Sequence, residues 1–182
     1  MIQIRGSAQR SFRFPASARQ ALDFYRDAER AVGFLNHVTI DARLGADRYR
    51  LAYEATEAAL YRVRILCQVR AVTDDAKRSI VIEPVEAAPA AAYARGLNSM
   101  TGYGRYASRM RFRAEGERTR VEYALSLEAS LPIALSLRFV PRARLAAAAD
   151  RIMRRRIEEI VQGFVEASVG AFLEQSRASN QR

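Results

Sequence analysis

The sequence is poor in the side chains that most often carry chemistry: it has one cysteine, one histidine and one lysine. The lone Cys67 excludes an internal disulfide framework and suits a reducing compartment, so a cytoplasmic location is expected. The lone His37 removes most metal centres and catalytic triads. Zinc asks for three or four His, Cys or acidic ligands, and His37 with Cys67 does not supply them. No apolar run approaches the ~18 residues of a transmembrane helix. The opening Met1-Ile2-Gln3-Ile4-Arg5 lacks the apolar stretch of a signal peptide. A nucleophile elbow, a phosphate loop and a dinucleotide fingerprint are missing too, since Gly102-Tyr103-Gly104 is too short for the last. These absences leave no catalytic residue, no metal and no cofactor to assign.

The chain does have apolar content and arginine. At 182 residues and 49% hydrophobic, it can bury a core as one domain over residues 1–182. The net charge of +10 is carried almost wholly by arginine, because Lys77 is the only lysine. Part of that skew reflects base composition, and the remainder favours anionic partners.

Residues 141–175 read as one long amphipathic helix. Pro141 suits a first helical turn. Leu145, Ala149, Ile152, Met153, Ile157, Ile160, Val161, Phe164, Ala167, Ala171 and Phe172 recur at spacings of three and four. Such a helix is about 50 Å long and needs a broad partner surface; residues 176–182 are expected to form a flexible tail. Gly163 and Gly170 fall near the stripe and would permit close approach or a bend. Arg156 projects to the same side, either as a stem reaching the surface or as a cation at a cavity mouth facing an acidic head group.

Upstream, residues 2–14 suit a first strand. Ser17 with Gln20 forms a capping-box pattern that opens a helix of about four turns, with a break expected near Gly33. Strict alternation then marks half-buried strands. Val38, Ile40, Ala42 and Leu44 share one face, as do Tyr49, Leu51, Tyr53 and Ala55, and Tyr61, Val63, Ile65, Cys67 and Val69. Ile80 with Ile82 makes a shorter strand. Residues 86–101 interrupt the pattern as a long loop with the character of a lid. Two long strands follow, carrying Tyr106, Ser108, Met110 and Phe112, then Thr119, Val121, Tyr123, Leu125 and Leu127.

This order of strand, helix, antiparallel meander and long C-terminal helix resembles the helix-grip fold of the START-like superfamily (SRPBCC), which includes polyketide cyclases and Bet v 1 allergens. The local runs that carry the likeness are Ala21-Leu22-Asp23-Phe24-Tyr25-Arg26-Asp27, Tyr49-Arg50-Leu51-Ala52-Tyr53, Val140-Pro141-Arg142, and Ile157-Glu158-Glu159-Ile160-Val161-Gln162-Gly163-Phe164. They look closest to a bacterial and plastid branch of it. The resemblance implies an α+β domain whose curved antiparallel sheet, of about six or seven strands, wraps around the long helix. It also implies a cavity between them and no particular chemistry, since members bind lipids, sterols, quinones, polyketides or hormones and a minority are enzymes.

The leading functional expectation is therefore a binder or carrier of a hydrophobic small molecule, such as a lipid, a quinone or a polyketide-like compound. Its contacts would be Tyr49, Leu51, Tyr53, Ile65, Met110, Phe112, Tyr123, Ile152, Arg156, Ile160 and Phe164, with 86–101 as gate. A second expectation uses the opposite strand faces. There Arg48, Arg50, Arg62, Arg64, Arg109, Arg111, Arg113 and Arg120 outnumber the acids and could dock on nucleic acid or acidic membrane. Against base readout, these arginines are not interleaved with exposed aromatics. A third expectation, a cyclase-like enzyme using pocket tyrosines and His37, has the least support.

Overall fold

In the computed structural model, which describes residues 1–85 and 93–179, the alternation of residues 2–14 becomes strand β1 (Ile2–Phe14). It buries Ile2, Ile4 and Phe14 and turns Gln3, Arg5 and Ser7 to solvent. Two short helices follow, α1 (Ala18–Tyr25) and α2 (Ala28–Gly33). The capping box forms: Ser17 Oγ accepts from the Gln20 amide at 3.4 Å, and Gln20 Oε1 accepts from the Ser17 amide at 3.2 Å. The sequence predicts one helix broken near Gly33. The break instead falls at Asp27, which takes extended backbone and accepts from the amides of Glu29 and Arg30, starting a second helix.

Strands β2 (Val38–Arg43), β3 (Arg48–Glu57), β4 (Tyr61–Asp74), β5 (Ser79–Pro84), β6 (Ala94–Arg95), β7 (Ser99–Glu115) and β8 (Arg118–Leu131) complete one sheet. The order is β1-β8-β7-β5-β4-β3-β2, with β6 paired to β7. Neighbours are antiparallel, but β4 also runs parallel to the start of β7, Arg62–Leu66 beside Ser99–Tyr103. That extra pairing draws the two halves of the sheet into a strong curve. The sheet has eight strands rather than the expected six or seven. The eighth is the two-residue β6, and with the early start of β7 it claims part of 86–101. Residues 86–92 of that expected lid lie outside the described residues. Leu44, expected on the inner face of β2, is 44% exposed because the register shifts between Ile40 and Ala42.

A 3₁₀ turn at Leu135–Leu137 leads into α3 (Arg142–Ser179), a helix of 38 residues. It outruns the predicted end at 175, so residues 176–179 are helical rather than part of a tail. The Ser176 hydroxyl donates to the Phe172 carbonyl at 2.9 Å, and no proline or glycine stops the last turn. Met153, Ile157, Ile160, Val161 and Phe164 form the buried stripe. The helix comes closest to β1 at Gly6, where a Cβ would stand 2.7 Å from Ile157 Cδ1 and 3.4 Å from the Met153 carbonyl oxygen. At Gly163 a Cβ would meet only the terminal amide of the exposed Asn36 side chain, which can rotate away, so this glycine is not demanded by close packing. Gly170 meets nothing within 4 Å and needs no packing explanation.

Candidate ligand cavity

The sheet–helix interface has two ends of opposite character. Around the middle and later turns of α3 it is filled. The Phe164 ring lies 4.6 Å from that of Tyr123, 5.7 Å from Tyr25 and 6.3 Å from Phe34. Beside them the Tyr25 hydroxyl donates to Ser168 Oγ at 2.7 Å, which gives a fully buried serine on α3 a partner. Burial raises the pKa of the Tyr25 hydroxyl, and the Ser168 bond only partly offsets it. Of the contacts expected from the sequence, Tyr49, Leu51, Ile65, Met110, Phe112, Tyr123, Ile160 and Phe164 are at most 7% exposed. They belong to this packed core and none of them lines the apolar cavity under α3, because aromatic rings from β1, α1, β7 and β8 occupy the volume below this part of the helix.

At the other end a cavity of about 230 Å³ opens under the first turns of α3. The sheet supplies Ile2, Ile4, Val63, Met100 and Leu131; the connection to the helix supplies Ile133 and Leu137. On the helix side stand Leu145, Ala148, Ala149, Ile152 and Met153. Ala148 and Ala149 place methyl groups on this wall where larger side chains would be needed to fill the space. Tyr53, Glu57, Ala58 and Tyr61 complete the wall from the β3–β4 hairpin. Tyr53 and Ile152 are thus the two expected contacts that the structure puts on the cavity. The others were missed because alternation identifies an inner face without saying where that face is left uncovered. The alanine run was the available signal.

Arg156 sits one turn beyond Ile152 and is not a free cation. Its Nε and Nη2 donate to the two Glu57 carboxylate oxygens at 3.0 and 3.2 Å, and its Nη1 donates to Glu159 at 2.7 Å. Those bonds hold its pKa above the ordinary arginine value. The expected acidic head group is therefore supplied by the chain itself. Tyr53 donates to Glu57 Oε1 at 3.2 Å, and burial, then the Glu57 charge, raises its pKa, so the hydroxyl stays protonated. The only carboxylate on the cavity wall is thus internally neutralised among the described residues. The hairpin that carries it is strained: Ala58 and Ala59 both have positive φ, 49° and 55°, in a turn closed by Leu60 N–H to the Glu57 carbonyl at 3.1 Å. That geometry normally selects Asn-Gly, and alanine there costs about 1 kcal/mol per residue.

The remaining candidates lie elsewhere. His37 is exposed, with its ring 6.2 Å from that of Tyr53, and does not line the cavity. Cys67 is buried, and burial pushes its thiol up to about 12. Below that value the thiol is protonated, so a disulfide-exchange reagent should leave it unmodified at pH 7–9 and modify it only after denaturation. Rapid labelling of the folded chain would contradict this placement.

The arginine face is laced with ion pairs. Arg50 and Arg64 both engage Asp41, at 2.5 and 2.6 Å, Arg113 engages Glu122 at 3.2 Å, and Arg120 engages Glu115 at 2.6 Å. Arg48, Arg62, Arg109 and Arg111 have no carboxylate partner among the described residues, and they are dispersed over several strands. No helix of the described residues is long and apolar enough to cross a membrane, and no group of three metal-ligating side chains occurs among them.

No protein-family model matches the sequence, and no curated protein matches it. Solved structures do. A protein from Thermus thermophilus aligns with TM-score 0.54 at 23% identity, covering 92% of this chain and 98% of its own. The Zhui aromatase/cyclase of Streptomyces sp. R1128 aligns with TM-score 0.60 at 16% identity, covering 96% and 98%. Norcoclaurine synthase of Thalictrum flavum, in complex with dopamine and hydroxybenzaldehyde, aligns with TM-score 0.53 at 10% identity, covering 94% and 88%. With its curved sheet and its long C-terminal helix, the chain shares the helix-grip fold of these neighbours.

Proposed function

We propose that the chain binds and carries a small apolar molecule in the cavity under the first turns of α3. The observation that carries this is an apolar space of about 230 Å³ in a domain whose remaining interface is filled. A predominantly apolar cavity of this size gains from an apolar guest that displaces water from its walls. At interior packing density it accommodates about ten non-hydrogen atoms, the size of one fused bicyclic ring or a medium-length acyl chain. Tyr53 and Tyr61 offer hydroxyl groups at the wall, enough to orient one polar end of such a guest. The fold neighbour that holds dopamine and hydroxybenzaldehyde binds molecules of comparable size. Binding rather than turnover is the reading supported, because the wall's one carboxylate is neutralised by Arg156 and His37 faces elsewhere.

Native mass spectrometry of the freshly purified chain, followed by organic extraction, tests the proposal. A compound of this size class should co-purify reproducibly and leave on extraction. A chain that is empty in every preparation would contradict it.

A further inference from the structure

The cavity opens on an end of the molecule with an unusual surface. Among the described residues nine large hydrophobic side chains are exposed, and six of them frame this end: Met1, Leu60, Leu97, Leu135, Phe139 and Val140. Phe139 is 80% exposed and Leu97 67%. Each lies next to or near a residue of the cavity wall in sequence. Leu60 precedes Tyr61, Met1 precedes Ile2, and Leu135 and Phe139 flank Leu137.

Backbone hydrogen bonds tie the loops together. The Leu135 and Ser136 amides donate to the carbonyls of Gly96 and Leu97, both at 3.1 Å, and the Arg62 amide donates to the Asn98 carbonyl at 2.9 Å. The apolar side chains therefore project from one knitted rim.

Arginine predominates among the charges on this rim. Arg62, Arg95, Arg138, Arg142 and Arg144 are exposed there, and no Asp or Glu occurs from residue 93 to 114 or from 129 to 149. The carboxylates beside the opening are engaged within the chain: Glu57 is held by Arg156, and Asp150 accepts from the Arg5 amide at 3.3 Å. The Arg138 guanidinium lies 4.5 Å above the Phe139 ring, placing cation and apolar ring side by side.

We propose that this rim docks on an anionic lipid bilayer and presents the cavity opening to it. Single apolar side chains projecting from separate loops suit the boundary between head groups and acyl chains, while arginines beside them meet lipid phosphates. The charge match selects this partner: a rim whose exposed arginines outnumber its carboxylates, which are engaged within the chain, is complementary to an anionic interface and repels a second copy of itself. Docking there would let an apolar guest pass between bilayer and cavity without crossing water. Docking itself needs no occupied cavity; only its use in exchanging the guest rests on the proposed function.

Co-sedimentation with vesicles tests it. The chain should pellet with phosphatidylcholine vesicles containing phosphatidylserine, weakly with phosphatidylcholine alone, and less as salt rises. Leu97→Ser combined with Phe139→Ser should weaken binding roughly tenfold, and Arg138→Gln with Arg142→Gln and Arg144→Gln should remove the preference for phosphatidylserine. All five positions are exposed, so thermal unfolding should be unchanged, and guest extraction read on the same variants separates docking from cavity binding. Absence of binding to phosphatidylserine vesicles at low salt would overturn the proposal. So would unaltered binding by both variants, or a dimer that dissociates on Phe139→Ser.

Discussion

Phe164→Ala should lower the stability of the fold by about 3–5 kcal/mol, a large part of the ~5–15 kcal/mol that holds a domain of this kind together. Phe164 is 1% exposed and packs its ring against Tyr123, Tyr25 and Phe34. It therefore joins α3 to the inner face of the sheet and to the helical segment between β1 and β2. Truncation removes the transfer free energy of the ring and leaves a void among the surrounding rings. Urea and thermal denaturation should both show the loss, with the midpoint temperature falling by roughly 6–20 °C. Phe139→Ala is the contrast: that ring is 80% exposed, so its loss should stay within about 0.5 kcal/mol. Equal effects at the two positions would mean that α3 is not anchored as described.

Ala149→Phe should do the reverse. In a filled core an added phenyl ring costs about 1–3 kcal/mol through strain. Ala149 faces the open cavity, so the ring has somewhere to go and stability should be unchanged or rise by about 1 kcal/mol. The same ring consumes the space a guest would need, and binding should be lost. Stability and binding thus move independently at this position, whereas at Phe164 stability alone is at stake. A destabilisation as large as that of an ordinary core overpacking would mean that the space under the first turns of α3 is closed in solution.

Much of the fold was legible because its signals are local. The three-and-four spacing from Leu145 to Phe172 identified α3, Ser17 with Gln20 identified the start of α1, and alternation identified the strands. The departures have local causes that periodicity does not record. Asp27 captures two amides and divides one predicted helix into two, and a register shift between Ile40 and Ala42 turns Leu44 outward. The parallel pairing of β4 with β7 is a contact between distant segments and left no pattern in either strand. The site was read less well for the same reason. Tyr49, Tyr123 and Phe164 were correctly turned inward, yet inward positions are mostly packed, and the apolar cavity lies instead around Ala148 and Ala149. Arg156, expected on the apolar side of the helix, is bound to Glu57 and Glu159. Its partner Glu57, 99 residues away in sequence, could not be inferred from spacing.

The central claim is that the space under the first turns of α3 receives an apolar guest. Calorimetric titration of indole, a fused bicycle of suitable size, into the wild-type chain and into Ala149→Phe tests it most directly. The wild type should give saturable heat with a stoichiometry near one and a Kd on the order of 100 µM, appropriate to so small a ligand. Ala149→Phe, folded and at least as stable, should give none. Absence of saturable binding to the wild type, or equal binding by the two chains, would contradict the account.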